Sequence, residues 1–273
     1  MDIGAPTHRL KTQGETAVIG TQSVQRAVAV LRYVACAPEV PRLSDIAQAL
    51  DIDVTTAHRI VKGLCFEGML RREPDSRRYR LGRVVHELGL AATPQFPLRD
   101  LCRPTLERLA ARSGDSVFLL VRSGLEIVCL ERVAGSFPIQ AHTLDAGARR
   151  PLGVGAGGLA MLMVLPDAEV EAVVLANDAR YRAWPGLDAQ RMRELVAQSR
   201  RAGYAINDGD LMPDVGAIGM AFETRRLAAA HGGPVQAAIS IASLAARFRG
   251  PRRAEMAREL AAEIRRLGLA LAQ

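Results

Sequence analysis

The segment that decides the fold of the N-terminal part of the chain is LSDIAQALDIDVTTAHRIVKGL, at residues 43–64. Apolar residues recur at helical spacing in both of its halves, and the sequence DID at 51–53 interrupts the pattern. We expect Ser44 to cap the first helix and Asp53 to cap the second, because both side chains accept hydrogen bonds from free N–H groups at a helix N-terminus. Two short helices with a tight break between them predict a helix-turn-helix.

The second helix of this segment has two contrasting faces. One face is apolar, with Val54, Ala57 and Val61 among its residues. Hydroxyl, imidazole and cationic side chains bind base edges and phosphates, so a face made of them suits the major groove of DNA. The other face of this helix is of that kind and has no carboxylate; it carries Thr55, Thr56, His58, Arg59 and Lys62.

A basic hairpin is predicted directly after the helix-turn-helix. Residues 69–73 and 77–81 have the pattern of short strands, and the sequence Pro-Asp-Ser at 74–76 is typical of a turn. A hairpin in this place is a wing whose arginines can neutralise phosphates, although a charged run can also be only a solvated face. The predicted DNA contacts are Ser44, Thr55, Thr56, His58, Arg59, Lys62, Arg71, Arg77, Arg78, Tyr79 and Arg80.

The composition limits the class of protein. The 273 residues allow one large domain or two ordinary ones, and 49% of them are hydrophobic, so a packed core is expected. The net charge of +7 suits a polyanionic partner without proving one. The cysteines lack C-x-x-C spacing, the histidines lack metal-ligand spacing, and no apolar run is long enough to cross a membrane. We therefore expect a cytoplasmic protein without a metal site.

Changes in pattern divide the chain into four parts. We expect a mobile tail at residues 1–20, the winged helix-turn-helix domain at 21–82, a connecting helix and linker at 83–96, and a second domain at 97–273. The second domain combines helices with antiparallel strands, which predicts an α+β sensor domain. Its predicted strands are at 116–122, 125–131, 204–206, 217–222 and 235–241, and its main helices are at 98–112, 159–164, 187–202 and 251–267.

The Gly-rich segment at 153–158 matches G-x-G-x-x-G in its letters. A dinucleotide site needs an apolar strand immediately before this motif, whereas a polar, broken segment precedes it here, so we expect no cofactor. The better interpretation is a loop that ends at a helix N-terminus, where N–H groups near Gly155 and Ala156 favour a carboxylate. Tight helix packing without a ligand is the alternative.

Taken together, the motifs resemble the IclR family of transcriptional regulators. The segments that carry the resemblance are SVQRAVAVL at 23–31, LSDIA at 43–47, TAHRIV at 56–61, Leu64 with EGML at 67–70, YRLG at 79–82, RRAGYA at 200–205, DVGAIG at 214–219 and AAISIA at 237–242. The resemblance spans about residues 21–267 and implies a winged helix-turn-helix domain, a connecting helix and a GAF-like effector-binding domain with an antiparallel sheet. A homodimer or a tetramer is expected as well, because each chain has a single reading head, two linked modules read a pseudo-palindrome, and the connecting stretch at 84–91 is apolar.

The resemblance also implies an effector site in the second domain. The Asn-Asp-Gly sequence at its centre can instead be only a turn, and Ser240 can face either a pocket or solvent. Family members often have His and Lys where this chain has Gly153 and Gly158, so we expect a roomier and less charged pocket wall. The resemblance places the site on Asn207, Asp208, Gly219 and Ser240, and the sequence itself adds Gly155 and Ala156, with Leu144 and Val154 against the ligand's carbon skeleton.

These observations predict a DNA-binding transcription regulator that is controlled by a small organic acid. We expect a repressor, because repression is the commoner outcome in families of this type. Its expected partners are double-stranded operator DNA, the acid and further copies of itself. A phosphate needs more cations than the predicted site has, although Arg149 and Arg150 lie close in sequence. Two rival interpretations are a nucleotide-using enzyme with a basic accessory domain and a DNA-binding protein without a ligand. No catalytic motif supports the enzyme.

Overall fold

The computed structural model describes residues 21–37, 39–141, 143–209, 211–224 and 235–272, and the chain divides into two compact units, with the boundary in the sequence between Pro94 and Gln95. The segment predicted to be a mobile tail, residues 1–20, lies outside the described residues. Within the described ranges, no helix is long and apolar enough to cross a membrane.

The N-terminal unit is a helix-turn-helix followed by a two-stranded antiparallel wing, as the sequence predicts. Its buried centre includes Val30, Ile46, Val61, Leu70 and Tyr79, which come from the first three helices and both strands. Burying these apolar side chains together fixes the wing against the helices. The elements are α1 (Gln22–Cys36), α2 (Leu43–Leu50), α3 (Val54–Phe66), β1 (Leu70–Arg72), β2 (Tyr79–Leu81) and α4 (Arg83–Ala92).

One of the two predicted helix caps is confirmed and the other is wrong. Asp53 Oδ1 accepts a hydrogen bond of 2.7 Å from the Thr56 backbone N–H, which caps α3. Hydrogen bonds from the Thr56 side chain and then from its backbone N–H hold the pKa of Asp53 below its ordinary value. Helix α2 begins two residues earlier than expected, so its cap position is Arg42 rather than Ser44. Asp45 Oδ2 accepts the Arg42 backbone N–H at 2.8 Å, while Ser44 lies within the first turn.

Two glycines allow the wing to close against the end of α3. Gly68 follows that helix with a φ of +69°, and a Cβ on Gly82 would lie 2.0 Å from the Gly68 carbonyl oxygen. Only glycine tolerates both conditions without displacement of the backbone. The returning strand is shorter than predicted, because Arg77 has a φ of +54° and belongs to the turn.

The C-terminal unit contains a six-stranded, fully antiparallel sheet in the order β5-β4-β3-β8-β7-β6. Strand β5 was not predicted, and α6 begins at Gly155 rather than at 159, so the Gly-rich segment forms part of the helix. The elements are α5 (Leu98–Ser113), β3 (Ser116–Ser123), β4 (Glu126–Val133), β5 (Arg149–Pro151), α6 (Gly155–Met163), α7 (Asp167–Tyr181), α8 (Ala189–Ala202), β6 (Ala205–Asp208), β7 (Val215–Thr224), β8 (Val235–Leu244) and α9 (Pro251–Ala272).

Each face of this sheet packs on a different set of helices. Helices α5 and α9 cover one face, and α6, α7 and α8 cover the other. Successive side chains of a strand point to opposite faces, so Ile239 and Ile241 of β8 enter the α5–α9 core while Ser240 points towards α6. This arrangement confirms the predicted α+β architecture and brings one polar side chain under the start of α6.

Candidate functional site

The first candidate surface is the outer face of α3 in the N-terminal unit. Thr55, His58, Arg59 and Lys62 are exposed there, and Thr56 is half-buried beside its cap partner. Val54 was assigned to the apolar side of this helix, but it is 57% exposed because it is the first residue of α3 and lies beyond the core. Ser44 of α2 is exposed as well. This surface presents donors and cations to solvent and suits a polyanion.

The wing adds a second group of cations. Arg71 and Arg80 are opposite each other in the pairing of β1 with β2, and both are exposed. Arg80 Nε donates to Glu73, whereas no carboxylate within the described part of the chain pairs with Arg71. Like charges directly across a hairpin repel each other, and Glu73 offsets part of this repulsion, because, after the hydrogen bond from Ser76, both Arg80 and Arg71 help to lower the pKa of Glu73. Arg77 is exposed in the turn.

Two of the predicted DNA contacts have another role in the structure. Tyr79 is only 7% exposed and belongs to the core, so its assignment to the DNA surface is wrong. Arg78 Nη1 donates to the Val40 carbonyl oxygen and lies 3.6 Å from Glu39 Oε2, so Arg78 is committed to the loop before α2. Both residues hold the wing in place instead of facing outwards.

The second candidate site is a pocket in the C-terminal unit, at the N-terminus of α6. It encloses about 470 Å³, counting the part that is open to solvent. Strands β3, β4 and β8 contribute Phe118, Leu120, Ile127 and Ser240 to its walls. It brings together most of the residues predicted for an effector site, namely Leu144, Val154, Gly155, Ala156, Asn207 and Ser240.

The start of α6 forms the floor of this pocket. Val154 is in its cap position and provides no side-chain cap, so the first N–H groups of the helix have no partner of that kind. A Cβ on Gly157 would lie 2.1 Å from Leu120 Cδ1 and 3.4 Å from Ser240 Oγ. Glycine at this position therefore allows the helix N-terminus to lie directly over the sheet.

Two polar side chains of the pocket are available to a ligand. Ser240 is 6% exposed, and its Oγ has no hydrogen-bond partner among the residues that the structure describes. Asn207 lies at the end of β6, where its Oδ1 accepts the Gly209 N–H at 3.2 Å. Asn207 thus both takes part in the local turn and lines the pocket. The two alternatives from the sequence, a turn and an effector site, are therefore compatible.

The sequence analysis did not assign Arg150 to the site, although this residue lines the pocket. Its Nη2 donates to the Thr143 carbonyl oxygen, and burial lowers the pKa of Arg150 to about 10. Its neighbour Arg149 donates from Nε to Glu126 at 2.7 Å and does not line the pocket. Recognition of β5 as a strand could have found this difference, because successive side chains of a strand point to opposite faces.

Two predicted effector residues do not line the pocket. Asp208 is exposed and accepts a hydrogen bond of 2.8 Å from Arg253 Nη1. Gly219 lies behind α6, where a Cβ would be 2.4 Å from the Ala156 carbonyl oxygen. Neither residue is therefore part of the pocket wall, because Asp208 forms an ion pair with α9 and Gly219 packs against the backbone of α6.

The pocket wall at Gly153 and Gly158, which was expected to be roomier, is filled by other atoms of the chain. A Cβ on Gly153 would lie 2.8 Å from Met192 Sδ, and one on Gly158 would lie 3.1 Å from the Gly153 backbone nitrogen. The absent side chains are thus replaced by neighbouring atoms, and neither glycine lines this pocket.

Comparison with known proteins agrees with this architecture. A family model for the IclR helix-turn-helix domain matches residues 23–74, and a model for the bacterial transcriptional regulator IclR C-terminal domain matches residues 90–268. The second match alone covers well over half of the chain.

Individual relatives match most of the chain. The HTH-type transcriptional regulator KipR of Bacillus subtilis is 28% identical over 228 residues, which cover 83% of this chain and 88% of KipR. The HTH-type transcriptional repressor AllR of Salmonella typhimurium is 26% identical over 253 residues, covering 91% and 90%. The crystal structure of an IclR homolog from Microbacterium hydrocarbonoxydans, complexed with 4-hydroxybenzoate, superposes with a TM-score of 0.66 at 26% identity, covering 91% of this chain and 100% of that one.

Proposed function

The chain belongs to the IclR family and is a DNA-binding transcription regulator rather than an enzyme, and we propose that a small organic acid bound in the C-terminal pocket controls its operator binding. The observation that carries this proposal is the pocket at the N-terminus of α6. The first N–H groups of α6, which have no side-chain cap, lie there together with Ser240 Oγ beside apolar walls. Backbone donors at a helix N-terminus favour an anion, and the apolar walls favour a carbon skeleton.

The chemistry of one relative supports the same class of ligand. The Microbacterium homolog was crystallised with 4-hydroxybenzoate, a compact aromatic acid, and its fold matches this chain over almost its whole length. We infer that a carboxylic or aromatic acid is the effector of this chain too. A pocket of this kind favours the effector-controlled regulator over the rival of a DNA-binding protein without a ligand.

The DNA-binding role is proposed for the exposed face of α3 and for the wing. Arg59, His58 and Lys62 are exposed on this face, and we expect them to reach base edges or phosphates, while we expect the exposed Arg71 and Arg77 to contact phosphates beside the groove. Ser44, Thr55, Thr56 and Arg80 complete the proposed surface. Tyr79 and Arg78 are left out of it because Tyr79 is buried and Arg78, unlike the exposed Arg80, is half-buried and bonded to the loop before α2.

We propose that the regulator is a repressor and acts as a homodimer or tetramer. The relative AllR is named a repressor. Each chain has one winged unit, and two such units are needed to read the two half-sites of a palindromic operator. Helix α4 has no buried residue, and its Leu88 and Leu90 are 56% and 59% exposed, which suits contact with a second copy.

An operator-release assay tests this function. The purified protein is bound to fluorescent DNA fragments from upstream of its own gene, and small carboxylic and aromatic acids are added one at a time. We expect at least one acid to change the DNA affinity by a factor of five or more, the usual range of coupling between two sites. The same acid should raise the melting temperature of the free protein, because a ligand that binds only the folded state stabilises it. DNA binding that no acid changes would contradict the proposal.

A further inference from the structure

Two sources of positive potential meet at one end of the pocket. Arg150 Nη1 lies 3.8 Å from the point that a Cβ on Gly155 would occupy, and Gly155 is the first residue of α6. The N-terminus of a helix carries partial positive charge from its unpaired N–H groups. A guanidinium and a helix N-terminus repel each other at this distance, so the arrangement is unfavourable until an anion lies against both.

No carboxylate in the described ranges of the chain compensates the charge of Arg150. Its hydrogen bond goes to a neutral carbonyl oxygen, that of Thr143, and burial lowers its pKa to about 10. Arg150 is half-buried, and a cation that is largely withdrawn from water without an anionic partner is destabilising, so arginines in such surroundings are normally paired. Arg149 is the contrasting case, because Glu126 and Ser123 accept its hydrogen bonds at 2.7 Å and 2.9 Å.

The other polar atoms of the pocket can also donate. Ser240 is 94% buried and lines the same pocket, and none of the described residues forms a hydrogen bond with its Oγ. Asn207 Nδ2 donates to none of the described residues, although Asn207 Oδ1 accepts the Gly209 N–H. A set of donors without acceptor partners matches a ligand group that only accepts, and an ionised carboxylate is such a group.

We propose that Arg150 is the specificity-determining residue of this pocket and that it selects an effector with a single carboxylate on a compact apolar skeleton, a proposal that rests on the function proposed above. The carboxylate oxygens accept hydrogen bonds from the Arg150 guanidinium and from the first N–H groups of α6. The carbon skeleton lies against Phe118, Leu120 and Ile127. Charge-assisted hydrogen bonds of this type are about twice as strong as neutral ones.

This arrangement discriminates against two related classes of ligand. A neutral amide brings an NH₂ group towards a set of donors, which leaves one of them unpaired. A phosphate ester or a dicarboxylate carries more negative charge than one guanidinium compensates, and Arg150 is the only cation among the described residues that line the pocket. We therefore expect a preference for monocarboxylates over both.

A structural role is the competing explanation for Arg150. Its bond to Thr143 could serve only to hold the loop before β5. The two roles differ in a measurable way. If Arg150 is only structural, its loss should weaken the binding of an acid and of the corresponding amide equally. If Arg150 selects anions, its loss should reduce the preference for the acid over the amide of the same skeleton.

The experiment measures that preference directly in the full-length protein. Acetate, isobutyrate and benzoate are each titrated beside their amides, together with phenyl phosphate and inorganic phosphate, by calorimetry and by thermal shift. The variants are Arg150→Gln, Arg150→Lys and the matched control Arg149→Gln. In the wild-type protein the guanidinium of Arg149 is already bonded to Glu126 outside the pocket.

We expect the wild-type protein and Arg149→Gln to bind at least one monocarboxylate tenfold or more tightly than its amide and the phosphates. In Arg150→Gln the preference should fall to about threefold or less, and Arg150→Lys should lie between the two because it keeps the charge without the bidentate geometry.

The melting temperature without ligand provides a second readout. Arg150→Gln removes an uncompensated charge, so its melting temperature should equal or exceed that of the wild-type protein. An unchanged acid-to-amide preference in Arg150→Gln would overturn the role proposed for Arg150 but not the proposed function. An equal loss of acid and amide binding would have the same consequence. Wild-type protein that binds none of these acids and releases DNA with none would overturn both this proposal and the proposed function.

Discussion

Gly219 of β7 lies directly against the carbonyl oxygen of Ala156 in the first turn of α6, at a place where a Cβ would be only 2.4 Å from that oxygen. This close approach of helix and strand fixes the N-terminus of α6 over the sheet. Gly157, one residue further along the helix, leaves room for Leu120 in the same way. The pocket therefore depends on glycines that do not themselves supply a ligand-binding side chain.

The substitution Gly219→Ala is expected to displace the start of α6. Overpacking of this kind costs about 1–3 kcal/mol of unfolding free energy, and the displaced helix should bind acids more weakly. Thermal or denaturant unfolding of the protein measures the first effect. The matched control is Gly268→Ala in α9, where a Cβ meets nothing within 4 Å and the change should be neutral or slightly stabilising. Equal stability of the two variants would contradict this account of Gly219.

The recognition helix and the wing should contribute differently to DNA binding. Arg59→Ala is expected to change the order of preference among operator variants, because Arg59 is exposed on the face of α3 that is proposed to enter the major groove. Arg71→Ala is expected to weaken binding to all sequences alike and to reduce the slope of log affinity against log salt by about one, because its proposed partner is a phosphate. Competition binding at several salt concentrations measures both effects.

The control for this comparison is Arg258→Ala, which removes an exposed arginine of α9 in the other unit. It should leave both the affinity and the salt slope unchanged. A uniform loss of affinity in Arg59→Ala, with no change of preference, would show that α3 contacts only the DNA backbone at this position.

The protein is expected to sediment as a dimer or a larger species at micromolar concentration. The double substitution Leu88→Glu and Leu90→Glu should reduce the sedimentation coefficient, because burial of a carboxylate in an apolar interface is costly. Leu269→Glu, at a residue that is 71% exposed on α9, is the matched control and should not do so. A wild-type monomer that still binds its operator tightly would exclude the proposed assembly.

The helix-turn-helix and most of the strands could be predicted because their signals are local. Apolar spacing and the cap at Asp53 defined α3, and alternation placed Ser240 opposite Ile239 and Ile241 in β8. The bend of the chain in the wing was harder to predict, since Arg77 adopts a positive φ that its residue type does not favour.

The parts of the site that escaped prediction depend on contacts between distant segments. Tyr79 belongs to the core because its side chain packs among those of α1, α2 and α3. Arg150 faces the pocket because three residues pair with β4 as a short strand, too short to give a pattern. The family resemblance assigned Gly219 to the ligand site, but Gly219 packs against the backbone of α6. The sequence does not show where α6 lies relative to β7.

The central claim, that an acid in the C-terminal pocket controls DNA binding, is tested most directly by titrating an active acid against operator-bound protein carrying Ser240→Leu. Ser240 faces the pocket, and its hydroxyl has no partner among the described residues, so leucine fills the space and removes the donor. Operator affinity without ligand and far-ultraviolet circular dichroism serve as folding controls, and Ser240→Ala removes the donor without filling the space. We predict full operator release from the wild-type protein, a weakened response from Ser240→Ala and none from Ser240→Leu. A normal ligand response from a folded Ser240→Leu protein would contradict the claim, because the acid would then act from a different place.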